Sequence, residues 1–316
     1  MASSSSASPI IHLLLALLSL LSPVSISTTF TITNNCGYTV WPGILSGAGT
    51  PPASTTGFSL SQGESRSLSM PSSWSGRLWG RTLCSTNPST SQFSCATGDC
   101  NSGTLACSGG ATPPATLAEF TLAGSGGLDF FDVSLVDGYN LPILIVPKSS
   151  AAGKCSATGC AVDLNGLCPS ELRVSATEED GKSVACRSAC EAFGKPEFCC
   201  SGEYGNPNTC KPSSYSEFFK NACPRAYSYA YDDASSTFTC EMGTDYEISF
   251  CPTTTSKKAG ENIPRAGGIP LINDTMVFMG VVDTSEAIKE HMWPAIPILL
   301  IFWLSHLLRL FLSNLV

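Results

Sequence analysis

Alternating apolar and polar positions dominate the chain between residues 28 and 251. Phe30 and Ile32 alternate with Thr29, Thr31 and Thr33, the period of a strand with one buried face. At 117–122, Ala118, Phe120 and Leu122 fall on one face while Glu119 and Thr121 point the other way. At 130–136 the same parity sends Phe131, Val133 and Leu135 inward and Asp132 and Ser134 outward. Asp137-Gly138 reads as a turn, and an apolar run at 141–146 follows it. A helix is predicted over 183–193, where Cys186 and Cys190 lie four apart on one face that Phe193 adjoins. That helix sits in the densest cysteine segment, 155–223. The pattern as a whole predicts a mainly β fold: a β-sandwich with an inserted, cross-linked, partly helical lobe. No internal repeat is evident.

Both ends break the pattern. Residues 10–21 read IIHLLLALLSLL, too short to span a bilayer and of the length of a secretory h-region. The stretch before it lacks Lys and Arg, but Ser25 and Ser27 place small residues at −3 and −1 of a cut before Thr28. Residues 1–27 therefore read as a signal peptide. At the other end a polar linker, 252–292, precedes the apolar tail WPAIPILLIFWLSHLLRLFLSNLV at 293–316. The tail is long enough to cross a membrane. It also suits a GPI-attachment signal, with Asp283, Thr284 and Ser285 as the small site. His306 and Arg309 weigh against both, since a charge in mid-tail costs about 2.5–3.5 kcal/mol on insertion scales. A disposable extension is the third reading. The sequon Asn273-Asp274-Thr275 lies in the linker, consistent with a glycosylated stalk.

Composition narrows the function. Only 13% of the chain is charged and the formal net charge is −8, with no basic run, so a nucleic-acid partner is excluded. An apolar fraction of 43% argues against disorder. The three histidines, His12, His291 and His306, all lie in the flanks. The core thus has no histidine for Ser-His-Asp or Cys-His catalysis or for a His-bearing zinc site, and acid–base chemistry falls to carboxylates. No cofactor or metal is expected. The 16 cysteines all fall between residues 36 and 251. An even number in a secreted chain points to eight bridges in an oxidising compartment. Spacing does not give the pairing; adjacent Cys199 and Cys200 diverge and must bond elsewhere. A core of this length buries enough surface to fold unaided, so the bridges are extra stapling against heat and proteases.

Several motifs fall in one order: Thr29-Phe-Thr-Ile-Thr-Asn-Asn-Cys36 at the mature start if residues 1–27 are removed, Trp79-Gly-Arg-Thr before Cys84, Cys95-Ala-Thr-Gly-Asp-Cys100, and Pro114-Ala-Thr-Leu-Ala-Glu-Phe. Phe131-Asp-Val-Ser-Leu-Val-Asp-Gly-Tyr-Asn, Tyr227-Ser-Tyr-Ala-Tyr-Asp-Asp and Phe250-Cys-Pro complete the series. On these, the chain resembles the thaumatin-like proteins over 28–252. Ser91 departs from the pattern, which has Gly there. The resemblance implies a domain at 28–251 with a β-sandwich from 28–81, 120–161 and 224–251, a small hairpin lobe at 82–119 and a helical lobe at 162–223. It also implies the pairs Cys36–Cys251, Cys84–Cys95, Cys100–Cys107, Cys155–Cys240, Cys160–Cys223, Cys168–Cys186, Cys190–Cys199 and Cys200–Cys210.

Members of this family often carry an acidic cleft between sandwich and helical lobe. The matching residues here are Arg77, Glu119, Asp132, Asp137 and Asp232, with Arg81 as the substitute for Arg77. The resemblance implies plant defence, antifungal action and β-1,3-glucan binding by a monomer, secreted to the cell wall or held at the outer plasma membrane. Weak endo-β-1,3-glucanase activity would use Glu119 as acid, its proton affinity raised by neighbouring carboxylates, with Asp132 or Asp137 as base or nucleophile. Tyr139 and Phe131 are the rings expected to stack on sugar. A protein-binding recognition or inhibitor module is the third class. The bland alternatives are solvated strand carboxylates, Arg77 as a structural clamp, Asp232-Asp233 as a strand end, and Glu178-Glu179-Asp180 as a solvated turn.

Overall fold

The computed structural model describes residues 27–148, 155–176 and 182–252. Residues 1–26 of the signal segment, Glu178-Glu179-Asp180, Asn273 and the apolar tail lie outside them.

Among the described residues thirteen strands run in chain order as β1 (Thr28–Asn34), β2 (Trp41–Ser46), β3 (Ser65–Met70), β4 (Ser75–Thr86), β5 (Phe93–Thr97), β6 (Leu117–Thr121), β7 (Leu128–Ser134), β8 (Ile143–Pro147), β9 (Thr158–Cys160), β10 (Arg173–Ser175), β11 (Ser183–Cys186), β12 (Phe238–Glu241) and β13 (Tyr246–Phe250). One sheet has the order β3-β1-β13-β8-β9 and the other β12-β7-β6-β4-β2, with β5 folded onto β4. Strand β1 pairs with β13 in parallel, so the first and last strands of the domain are neighbours. The β-sandwich is what the alternation demands. Burial along β1 alternates without a break, and Phe30 and Ile32 meet the inner face of the opposite sheet. The core is aromatic: Phe30 lies 4.4 Å from Phe120, and Tyr246 lies 5.2 Å from Phe120 and 5.1 Å from Phe131 between ring centroids.

All sixteen cysteines are bonded. Long bridges tie distant strands: Cys36 to Cys251, Cys155 to Cys240 and Cys160 to Cys223. Short ones staple the loops: Cys84 to Cys95, Cys100 to Cys107, Cys168 to Cys186, Cys190 to Cys199 and Cys200 to Cys210.

One local expectation is corrected. The helix predicted over 183–193 is half strand. Cys186 exchanges both backbone hydrogen bonds with Tyr139, at 2.7 and 2.8 Å, which fixes β11 as extended chain. Helix α1 (Ala189–Phe193) begins only after Ser188, whose hydroxyl accepts from the Glu191 amide and caps it. Cys186 and Cys190 therefore share no helical face, and each bonds a different partner. Helices α2 (Pro196–Cys199), α3 (Ser214–Ala222) and α4 (Asp233–Ser236) follow. The turn at Asp137-Gly138 and the strand on the following apolar run are as expected. After the turn the chain leaves β7's sheet, and β8 pairs with β13 and β9 in the other one. Gly138 makes this crossing at φ 84, where a Cβ would meet the Cys186 carbonyl oxygen at 2.7 Å.

Ser91, at the tip of the β4–β5 hairpin, sits at φ 57 in the left-handed region. A non-glycine residue there carries a steric cost of about 1–2 kcal/mol. Ser91→Gly is expected to relieve it and, after the extra chain entropy of glycine is deducted, to raise stability by about 1 kcal/mol or less. Thermal unfolding of the two proteins side by side checks this; a lower midpoint for the glycine variant refutes it.

Candidate functional site

The outer face of the six-stranded sheet carries a row of side chains set by strand register. Leu45 on β2 pairs with Arg77 on β4, Arg77 with Glu119 on β6, and Glu119 with Asp132 on β7. The adjacent row, Gly76, Phe120 and Phe131, faces the core. Period-two alternation thus buries one row and presents the other. Arg77, Glu119 and Asp132 line a groove of about 240 Å³ with Ser75, Thr121 and Phe130. The Arg77 Nε stands 3.9 Å from Glu119 Oε1, both about two-fifths exposed, so this is a loose surface ion pair.

The carboxyls differ in their hold on a proton. Burial raises the affinity of Glu119, Arg77 opposes it and Asp137 adds to it. Burial, more than the neighbouring carboxylates named in the sequence reading, is the main cause. The larger shift falls on Asp132, pushed up to about 8 by burial first, then by the negative charges of Glu119 and Asp233. Its Oδ2 is buried with no hydrogen-bond partner. Asp132, and not Glu119, is thus the stronger proton holder of the pair.

The remaining expected residues are placed as follows. Asp137, in the turn after β7, acts electrostatically both on Glu119 and on Glu191 of α1, so it stands between groove and helical segment. Asp232 is engaged elsewhere: Oδ2 lies 2.8 Å from Lys220 Nζ and accepts from the Ser228 amide and hydroxyl, while Oδ1 accepts from Ser235. That set ties α3 to the segment leading into β12. Its neighbour Asp233 is the one that acts on Asp132, and Asp233 also accepts from the Tyr227 hydroxyl. These two residues open α4 and do not end a strand.

Three sequence expectations are corrected by burial. Arg81 cannot replace Arg77: it is fully buried and donates to the carbonyls of Trp41, Pro42 and Leu105. Phe131 and Tyr139 are also core residues, 1% and 0% exposed, and reach no sugar. The ring available to the groove is Phe130. Parity signalled it, because a residue beside inward Phe131 faces outward. Glu191, pushed up to about 7 by burial and Asp137 against the pull of Arg187, also escaped the sequence reading. Its signal was the spacing Ser188-x-x-Glu191 at a helix start. Among the described residues no cluster of His, Cys, Asp or Glu is arranged to hold a metal ion, and no helix is long and apolar enough to cross a membrane.

The family model described as the Thaumatin family matches residues 34–252. The chain belongs to the thaumatin family. It is 57% identical over 232 residues to Thaumatin-like protein 1 of Arabidopsis thaliana, covering 71% of this chain and 86% of that one. It is 53% identical over 244 residues to the PR5-like receptor kinase of the same plant, covering 77% of this chain but only 36% of the kinase. A Glucan endo-1,3-beta-glucosidase of Prunus avium is 52% identical over 227 residues, covering 72% of this chain and 91% of that one. The thaumatin-type domain thus accounts for all the described residues from 34 onward.

The shift on Asp132 has a consequence for stability. Between the ordinary carboxylate range and about 8 the folded chain keeps a proton that the unfolded chain has released. Stability therefore falls as pH rises across that window and levels off above it. Asp132→Asn is expected to remove this part of the decline and to raise the melting temperature at pH 8 more than at pH 5. Thermal unfolding at the two pH values checks this; equal gains at both would refute it.

Proposed function

We propose that this protein is a plant defence protein whose outer-sheet groove binds β-1,3-glucan of fungal walls, and that it acts against fungi outside the cell. One observation carries the reading: a cation, two carboxyls of unequal proton affinity and an aromatic ring are gathered on one sheet face. Sugar hydroxyls need hydrogen-bond donors and acceptors, and the apolar faces of glucose rings need an aromatic surface. Arg77, Glu119 and Asp132 offer the first and Phe130 the second. Eight bridges suit an oxidising extracellular setting. The apolar tail at 293–316 supports attachment at the outer plasma membrane, by a GPI anchor in the reading favoured here.

Hydrolysis is the second reading, favoured by the same unequal carboxyl pair and by the name of the Prunus avium relative. In it Asp132 supplies the proton to the leaving oxygen, and Glu119 serves as base or nucleophile. This exchanges the roles that the sequence alone suggested.

The purified protein is expected to be retained on insoluble β-1,3-glucan. Phe130→Ala and Glu119→Gln should each weaken retention by roughly tenfold or more, the scale of a lost stacking surface for the first and of a lost charge-assisted hydrogen bond for the second. Absence of retention by the unsubstituted protein refutes glucan binding. Reducing-sugar release from soluble glucan tests hydrolysis, and undiminished release by Asp132→Asn would remove Asp132 from the chemistry.

A further inference from the structure

Glu119 and Asp132 are direct cross-strand neighbours in an antiparallel pair, an arrangement in which two like charges repel. The surroundings of Asp132 deepen the conflict. From β6 it faces Glu119, and from α4 it faces Asp233. Beside β12, the Tyr227 phenol contacts Thr237 and donates to Asp233, adding no positive charge. Arg77, on β4, is placed against Glu119. Asp137 sends its field to Glu119 from the turn beyond β7. Two adjacent carboxylates thus have one arginine between them, and it sits on the far side of Glu119 from Asp132. The buried, unpartnered Oδ2 of Asp132 points the same way. As the carbonyl-type oxygen of a neutral acid it costs little, whereas as half of an ionised carboxylate it would be costly.

We propose that Glu119 and Asp132 share a single proton in the resting groove, held by Asp132, and that this singly ionised pair is the form that binds glucan hydroxyls. A sugar hydroxyl is at once donor and acceptor. A doubly ionised pair offers acceptors alone, but the singly ionised pair offers one of each. One hydroxyl can then donate to the Glu119 carboxylate while accepting from the Asp132 acid, two charge-assisted or acid-type bonds to one group. Titration belongs to the pair as a unit. The donor survives through acidic and neutral pH and is lost as pH passes about 8. The ligand half of this proposal rests on the glucan reading; the proton half does not.

The test is a pH series of isothermal titration calorimetry with a soluble β-1,3-linked glucose oligomer. For the unsubstituted protein the affinity is expected to stay level from above the ionisation of Glu119 to about pH 7, then to fall by up to about tenfold per pH unit beyond the ionisation of Asp132. Asp132→Asn, whose amide donates at every pH, is expected to show no such fall. An unsubstituted profile that stays level to pH 9.5, or a variant that falls in parallel, overturns the proposal. Should the oligomer not bind at any pH, the glucan reading is lost and with it the ligand half. The proton is read independently by carboxyl ¹³C NMR of the ligand-free, unsubstituted protein. Ionisation of Asp132 near 8, moving down in Glu119→Gln, supports sharing. Ionisation in the ordinary carboxylate range, or no movement in Glu119→Gln, overturns it.

Discussion

Phe120 and Phe131 must pack against Tyr246, and most of what distinguishes the molecule follows from that contact. The two phenylalanines are register partners on β6 and β7, and Phe30 closes the cluster from the facing sheet. Once they point inward, Glu119 and Asp132 have no choice but to stand side by side on the outer face. A slip of one residue in either strand would trade a phenylalanine for a carboxylate in the core, which the hydrophobic term forbids. The repulsion between the two acids is therefore borne by the core packing, and protonation is the cheapest way to relieve it.

The segment between 162 and 223 is organised differently. It contains short helices and one two-stranded ribbon, three local bridges staple it, and Leu164, Leu172 and Phe219 join it to the main core. Its attachment to the sandwich is partly covalent, through Cys160–Cys223, and partly electrostatic, through Lys220 and Asp232. The half-buried lysine also donates to the Ala226 carbonyl and the Ser236 hydroxyl, so its charge is fully used in joining α3 to the chain that enters β12. An acidic residue that looks like part of a binding surface thus serves to hold two parts of the domain together. The next residue along, Asp233, is the one that acts on the groove.

Strand parity made the sandwich and the facing of Glu119 and Asp132 legible, because a two-residue period needs only local sequence. Helical spacing misled at 183–193, where cysteines at i and i+4 suggested a helix but the backbone of Cys186 was claimed by Tyr139, far away in sequence. Phe131 was legible as buried from its parity, but Tyr139 was not, since Cys186 and Val162, which hold its backbone and hydroxyl, lie further along the chain. Arg81 was likewise indistinguishable from Arg77 until the carbonyls that receive it were in place. The order of proton affinities was least accessible of all. It depends on how deeply each carboxyl is covered, and the cover on Asp132 comes from neighbours that sequence spacing does not reveal.

The bridge between Cys36 and Cys251 joins the ends of two central, parallel strands. A pull exerted on the chain just beyond Cys251 is passed through sulfur to β1 before it can peel β13 away bond by bond. Both strands, each flanked on two sides, would have to slide together under shear. Tension at that end is thus resisted by the whole middle of the sheet.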